Sequence, residues 1–311
     1  MTLTAVVLNF NGLKDTIECI RSLKKCHSGP YKLNIVVVDN GSDDKNVASL
    51  SQVNDITLIR NNRNLGYSGG NNVGIKYALG KNSDLIILLN NDIIVDQNLL
   101  QYLAKASRGG DLIAPKIYFE KGFEFHKYLY KKEDLGKVIW YAGGKIDWQN
   151  IGGIHIGVDE VDRGQFSKGL ETDFATGACM LVKSEVFKKI GYFDEKYFLY
   201  LEDLDFCVRA KKAGFKIVFE PKAIAWHKNA ASAGGSGSSL QDYYITRNRL
   251  LFAFKFARFR TKIAVLKQVL FEISKPVRRW ALLGPMPGSF SKDSTNAWIG
   301  LGIFTLITNV L

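Results

Sequence analysis

Residues 85–92 read LIILLNND: five apolar side chains in succession, then two amides and a carboxylate. An unbroken apolar run of this length, without alternation, suits a strand buried on both faces, as in a parallel sheet covered by helices. The polar end then lies at the carboxyl edge of the sheet, where open α/β sheets gather their ligands. Residues 34–39, NIVVVD, repeat the pattern and again end in a carboxylate. Around these two segments β-branched runs alternate with helix-like stretches. Strands are predicted near 4–8, 34–39, 56–60 and 84–90, and helices near 13–25, 44–51, 69–80 and 97–106. The expected fold class is α/β, with a Rossmann-like, mostly parallel central sheet flanked by helices.

Further along, IAPKIYF, KVIWYAGGKIDW and DFATGACMLVK read as strands joined by Gly-rich turns, and a helix is predicted over 184–190. YLEDLDFCVRAKKAG reads as a helix stopped by Gly214, with KIVFEP and AIAWHK following as two short strands. NAASAGGSGSSLQ, residues 229–241, has the composition of a flexible loop. It divides the chain into a sheet-forming domain, 1–240, and a basic, helical C-terminal extension, 241–311. Residues 247–279 carry ten basic side chains and one acidic one, a net of +9. Phe252, Phe256, Phe259, Ile263, Leu266 and Leu270 recur three and four apart, predicting one long helix whose apolar stripe is flanked by charge. The final fifteen residues, AWIGLGIFTLITNVL, carry no charge but fall short of the ~20 needed to cross a bilayer. No internal repeat is found.

With 46% hydrophobic and 12% aromatic residues, 311 residues suffice for a packed core. The excess of 42 Lys and Arg over 30 Asp and Glu, +12, favours an anionic partner: a nucleotide, a nucleic acid or an acidic membrane surface. Because that charge sits mainly after residue 246, while the sheet portion carries acids at strand ends, nucleic acid is not the expected partner. Cys19, Cys26, Cys179 and Cys207 form no CxxC pair and have no zinc-like spacing to His27, His126, His155 or His227. They read as free thiols in or near the core. The amino terminus enters TLTAVVLNFNG without a basic start, a long apolar run or a small-residue cleavage site. The expected location is therefore the cytoplasm, with peripheral contact on the inner face of the cell membrane through the basic tail. Packing of the tail on the catalytic domain and formation of a homodimer are the other uses of its stripe.

Four segments carry candidate chemistry. Asp39 ends its strand where a carboxylate can accept hydrogen bonds from a nucleobase or ribose, or simply form the turn; Asp43 and Asp44 suit the cap of the next helix. NNRNLGYSGGNNVG sets Gly66, Gly69 and Gly70 ahead of a helix, so that backbone amides and the positive helix end face a diphosphate, or make a tight capped turn. It is neither a Walker loop nor a dinucleotide fingerprint. In LLNNDIIV, Asp92 delivers an oxygen ligand to the sheet edge; Mg²⁺ or Mn²⁺ needs only one or two protein carboxylates when phosphate fills other positions. Glu202, Asp203 and Asp205 open a helix, where acids also serve as caps, and a carboxylate beside a bound sugar can act as general base. His227 suits a metal ligand, a supporting imidazole or a satisfied structural residue.

Taken in order, VVLNFNG, VVVDNGSDD, NLGYSGGNNVG, NND, FATGACMLVKSEVFKKIGYFDE, YLEDLDFCVRA and AWHK resemble glycosyltransferase family 2, the inverting GT-A enzymes, and particularly its bacterial rhamnosyltransferase-like members. The resemblance covers about residues 3–250. It implies a GT-A fold and a metal-dependent transfer from a nucleotide-sugar donor to a glycan or lipid-linked glycan acceptor, as in the synthesis of lipopolysaccharide and other cell-envelope polysaccharides. Asp39 would contact the donor base, with the backbone around Asn9 as another wall; Asn64 and Gly66 would lie near the nucleotide and diphosphate. Asn91 and Asp92 would take the place of the DxD region, with Asp92 the ligand of Mg²⁺ or Mn²⁺; Asn90 replaces its first acid and lowers the site's charge by one. Asp203 would be the catalytic base, supported by Glu202 and Asp205. His227 would approach the metal or diphosphate, and Arg247, beside Asn248, a phosphate. The implied donor is dTDP-rhamnose first and a UDP-hexose second.

The competing classes are a nucleotidyltransferase, which calls for repeated glycines and basic residues after the first strand that NFNGLKD lacks, and a metal-free sugar-binding module.

Overall fold

The computed structural model describes residues 1–229 and 239–283. Most of the loop expected at 229–241, all of 297–311, and the side chains of Lys275, Arg278 and Arg279 lie outside the described residues. In chain order the elements are β1 (Thr2–Asn9), α1 (Leu13–Lys24), β2 (Lys32–Asp39), α2 (Asp44–Leu50), β3 (Thr57–Arg60), α3 (Gly66–Gly80), β4 (Leu85–Asn90) and β5 (Ile93–Val95). There follow α4 (Leu99–Ala106), β6 (Leu112–Phe119), β7 (Ile139–Tyr141), β8 (Gly144–Asp147), β9 (Gly152–His155), β10 (Leu170–Glu171), β11 (Cys179–Lys183) and α5 (Ser184–Ile190). The chain continues through α6 (Glu202–Lys212), β12 (Ile217–His227), α7 (Ser239–Phe256) and α8 (Phe259–Leu283).

Two compact units result: Met1–Ile146 with Gly153–Ser236, and Asp147–Gly152 with Gly237–Leu311. In the first, the sheet runs β10-β12-β6-β11-β4-β1-β2-β3, with β5 on β12 and β7 on β6; β8 and β9 pair separately. The strands β4, β1, β2 and β3 are mutually parallel, as is the pair β6–β12. Between these parallel halves, β11 enters antiparallel to both β4 and β6. The middle strands show no alternation of apolar and polar side chains because both faces are covered: Ala5 to Val7, Val36 to Val38 and Ile86 to Leu89 are wholly buried. Each such Val, Ile or Leu stabilises the fold by roughly 1.5–3 kcal/mol. Gly74 lets α3 lie directly on β1, since a Cβ there would sit 2.3 Å from Val6 Cγ1.

Register, more than the strands themselves, assembles the edge that matters. Asn9 pairs with Asp39, and Leu8 with Asn90, so three strand ends finish at one level. On the other half of the sheet His227 pairs with both Phe119 and Ile93, which sets it beside Asp92.

Three local expectations are corrected. KIVFEP and AIAWHK form one strand, β12, whose register shifts between Glu220 and Ile224; Pro221, which lacks a ladder donor, sits in the irregularity. In DFATGACMLVK only Cys179–Lys183 is strand, because residues 173–178 turn their backbone toward side chains of other segments. The C-terminal stripe spans two helices, not one: α7 and α8 break at Ala257 and Arg258. Within the second unit Trp148 and Phe252 meet at 5.8 Å, Arg249 Nε donates to the Asn150 carbonyl at 3.0 Å, and its Nη2 to Gln268 Oε1 at 3.0 Å. Val265 and Val269 are buried, whereas Phe259 and Leu270 of the predicted stripe are exposed. No helix among the described residues is long and apolar enough to cross a membrane. The thiols of Cys19, Cys26, Cys179 and Cys207 are free, and all but Cys26 are fully buried.

Candidate active site

At the ends of β1 and β2 the side chains lock one another. Asn9 Nδ2 donates to Asp39 Oδ1 at 2.7 Å and the Ser42 amide to Asp39 Oδ2 at 3.1 Å, while Asn9 Oδ1 accepts from Thr16 Oγ1 at 2.8 Å. Asn9 and Asp39 are fully buried, and one bond to each carboxylate oxygen ties the 39–42 turn to the end of β1. Asp43 caps α2 through the Asn46 amide, as a carboxylate at that position does.

Asn40, which the sequence reading passed over, organises the neighbouring loop. Its Nδ2 donates to Asn64 Oδ1 and the Gly66 carbonyl, and its Oδ1 accepts from Asn61 Nδ2 and the Leu65 amide, all within 2.9–3.1 Å. Asn64 Oδ1 also takes the Gly66 amide at 2.8 Å. The loop is thereby tied to the β2 turn just where α3 begins. Gly66 has φ +74°, a left-handed conformation that glycine adopts without strain.

At the end of β4, Asn91 Nδ2 donates to the Gly12 carbonyl and Thr16 Oγ1, which turns it inward. Asp92 faces His227: Oδ1 and Nε2 lie 3.2 Å apart. Both residues are buried, and His227 Nδ1 has no hydrogen-bond partner among the described residues. Burial pushes the Asp92 carboxyl up, but the adjoining His227 and Lys228 outweigh it and hold it below the usual range. Two ligand atoms adjacent on a divalent ion, each about 2.1 Å from it, are about 3 Å apart, so the pair fits such an ion. No third His, Cys, Asp or Glu completes a cluster among the described residues. Lys228 closes this corner, donating from Nζ to Asp15 and Glu18 at 2.6 Å each and from its amide to the Asp92 carbonyl. Beside His227 the Trp140 ring stands edge-on at 4.5 Å, and His155 packs against the same indole, also at 4.5 Å. Burial lowers the His155 imidazole to about 4, so it is neutral at neutral pH.

Glu202 and Asp203 open α6. Asp203 Oδ2 accepts the Gly177 amide at 2.9 Å and Oδ1 the Leu204 amide at 2.8 Å. Burial raises its carboxyl, opposed by those two amides. Glu202 is pushed much further up, by burial and then by the charge of Asp203, and its Oε2 has no hydrogen-bond partner among the described residues. Both carboxyls of the pair are thus raised, Glu202 by burial and the adjoining charge of Asp203, and Asp203 by burial. Asp205 faces elsewhere: it is fully buried, held by Arg209 Nε at 2.6 Å and by Tyr197 Oη at 3.2 Å, and anchors the segment before the helix. That segment is strained, with Phe198, Tyr200 and Leu201 all at positive φ.

Gly177 joins these groups. Its amide holds Asp203, its carbonyl accepts Tyr67 Oη of α3 at 2.5 Å, and the next residue, Ala178, accepts the Asn90 amide at 2.9 Å. The ends of β4, α3 and α6 are so linked through one turn. The candidate residues Asn9, Asp39, Asn64, Gly66, Asn91, Asp92, Glu202, Asp203 and His227 all belong to the first unit and to its carboxyl edge. Arg247 belongs to the second, where its guanidinium lies 4.8 Å from the Tyr244 ring centre and its Nε donates to Asn248 Oδ1. A cleft of about 930 Å³ at the opposite edge, lined by Met1, Tyr31, Asp84, Lys105, Arg108 and Lys188, contains none of these residues.

A helix-flanked sheet with carboxylates and an imidazole at its carboxyl edge, and a tight glycine turn opening α3, defines a GT-A glycosyltransferase. The family model for glycosyl transferase family 2 matches residues 4–191, and the chain belongs to that family. It is 28% identical over 252 residues to the low-salt glycan biosynthesis hexosyltransferase Agl10 of Haloferax volcanii, covering 80% of this chain and 74% of that one. To the dTDP-rhamnosyl transferase RfbF of Shigella flexneri it is 24% identical over 259 residues, 79% of this chain and 78% of the relative. Among solved structures, GalNAc-T7 with UDP, GalNAc and Mn²⁺ superposes with a TM-score of 0.61 at 18% identity over 99% of this chain; the chain spans 58% of that structure.

Proposed function

We propose that the chain transfers a sugar, with inversion, from a nucleoside diphosphate donor to a hydroxyl of a glycan or lipid-linked glycan in the synthesis of a cell-surface polysaccharide. The observation that carries this reading is the Gly177 turn, which ties the carboxylate of Asp203 to the strand end that leads into Asp92. The acceptor hydroxyl attacks the anomeric carbon opposite the leaving diphosphate, and Asp203 takes its proton. Two backbone amides fix the carboxylate's direction, and burial strengthens it as a base. The donor base lies over the corner of Asn9 and Asp39, and its diphosphate near Asn64, Gly66 and Asn91, toward the amino end of α3. Asp92 and His227 would hold Mg²⁺ or Mn²⁺, which when bound offsets charge on the leaving diphosphate.

The S. flexneri relative supports dTDP-rhamnose as first donor, and the hexosyltransferase and the UDP-bound neighbour support a UDP-hexose as second. Chemistry is assigned to residues 1–240. The tail from 241 meets anionic lipid on the cytoplasmic face, and its stripe also suits a homodimer.

The test is donor hydrolysis by the purified protein across a panel of nucleotide sugars. Activity abolished in Asp203→Asn with nucleotide affinity retained is expected. Nucleotide binding without hydrolysis or transfer for any donor and metal would reduce the protein to a binding module.

A further inference from the structure

We infer that the segment joining β6 to β7, residues 120–137, is a docking surface for an anionic lipid bilayer at the border of the carboxyl edge. Four large apolar side chains are exposed there: Phe123 is 45% exposed, Phe125, which rests edge-on against Phe119, 43%, Tyr128 79% and Leu129 70%. Around them Lys121, Lys127, Lys131 and Lys132 are exposed and form no ion pair among the described residues. The acids of the segment are mostly withdrawn. Glu124 is buried and accepts the amides of Gly122 and Gly136 at 2.8 and 2.7 Å, and Asp134 is buried against Arg163 at 2.8 Å. Of the remaining acids of the segment, Glu120 is half-buried and Glu133 is exposed.

The segment thus uses its carboxylates to build an internal frame and turns its apolar and cationic groups to solvent. Folding alone gives no reason for this sorting, because burying Leu129 rather than exposing it would stabilise the protein. Apolar tips beside lysines are the chemistry of an interface with anionic headgroups: the tips enter the acyl boundary while the ammonium groups stay at the phosphates. A second copy meeting the same face would bring these lysines against each other. The frame is also pinned to the site. Glu120 donates its amide to the His227 carbonyl at 2.9 Å, and Trp226 Nε1 donates to the Gly136 carbonyl at 3.1 Å, so both ends of the segment are fixed to β12 next to Asp92 and His227. Docking here would bring the carboxyl edge to the plane in which a lipid-linked acceptor presents its hydroxyl, a role that rests on the proposed sugar transfer; the lipid contact itself does not.

Flotation of the full chain with vesicles of phosphatidylcholine, alone or mixed with phosphatidylglycerol, tests this. Binding is expected only to the anionic vesicles, released by high salt. Lys131→Ala/Lys132→Ala should weaken it about 25-fold at low salt, about five-fold per lysine. Tyr128→Ser/Leu129→Ser should weaken it at least about ten-fold. Thermal melts and donor hydrolysis of both variants should match the unaltered protein, and hydrolysis reports on the transfer reading independently. No binding by the unaltered protein overturns the inference. So does retention of binding by both loop variants, above all if Phe259→Ser/Ile263→Ser on α8 abolishes it. Concentration-dependent dimerisation that the tip variant abolishes, without vesicle binding, would assign the surface to a second copy instead.

Discussion

Replacing Gly66 by alanine probes the joint between α3 and the segment that leads into α6, the helix that carries the proposed base. Gly66 has φ +74°, which costs an L-residue about 1–2 kcal/mol. The new Cβ would lie 2.5 Å from both the Phe198 ring and the Phe198 carbonyl oxygen. The ring can turn aside, but the carbonyl belongs to a backbone already at positive φ and accepts the Ser68 amide at 3.2 Å. Shifting it costs about 1–3 kcal/mol more, as overpacking does. The sum of about 2–5 kcal/mol, at about 2–4 °C for each kcal/mol in a chain this large, lowers the melting temperature by roughly 4–20 °C. Calorimetry should compare it with Gly80→Ala at the far end of α3, where nothing lies within 4 Å of the added Cβ. That change should be neutral or stabilise by up to ~1 kcal/mol. Because Phe198 leads into Leu201 and α6, the Gly66 variant should also raise the donor KM and lower kcat together. A Gly66→Ala protein that melts and turns over like the unaltered one would refute the coupling of α3 to the 198–201 segment.

Asp203→Asn should lower kcat by about 10²–10⁴-fold with nucleotide affinity by calorimetry unchanged, since its loss removes proton transfer and not donor contacts. Glu202→Gln should stabilise the protein at neutral and alkaline pH. The Glu202 carboxyl is raised in the folded state, so the native protein holds the extra proton and the wild type loses stability as pH rises through the folded value. The two melting curves should converge below the ordinary carboxylate range, and a constant difference at all pH would point to packing instead. Chelation should abolish transfer, and Asp92→Ala or His227→Ala should weaken Mn²⁺ binding in the presence of nucleotide, followed by electron paramagnetic resonance, by at least the roughly 10–100-fold that loss of a supporting partner costs. Unchanged Mn²⁺ affinity in both variants would move the ion elsewhere.

What the sequence made legible follows from which forces act locally. β1, β2 and β4 could be read because burial on both faces leaves an uninterrupted apolar run, and the end of each run fixes a polar residue at the edge. β12 was divided because Pro221 and Lys222 look like a terminus when read alone; the parallel partner β6 carries the strand across the irregularity. The break between α7 and α8 has no Gly or Pro to announce it, and the three-and-four spacing runs straight through Ala257. Buried Val265 and Val269 replaced the expected seam, since periodicity identifies an apolar face without naming what covers it.

Within the site, the acids were visible and their restraints were not. Asp92 and Asp203 stand at element ends, where sequence position alone implies an edge. The groups that orient them come from distant segments: His227 through the register of β5 on β12, Trp140 through its ring, and Gly177 through its backbone amide. A glycine in FATGACM reads as a turn because its amide carries no mark of the carboxylate it will meet. The same holds for Phe198, Tyr200 and Leu201. Bulky residues in the left-handed region cost about 1–2 kcal/mol each, and nothing in their identity predicts it. That cost is sustained by contacts on either side, the Ser68 amide on Phe198 before it and the buried Asp205–Arg209 pair after it. The strained segment therefore sets where α6 begins, and with it the position of Asp203, so the placement of the proposed base is a property of the assembled edge and not of its own motif.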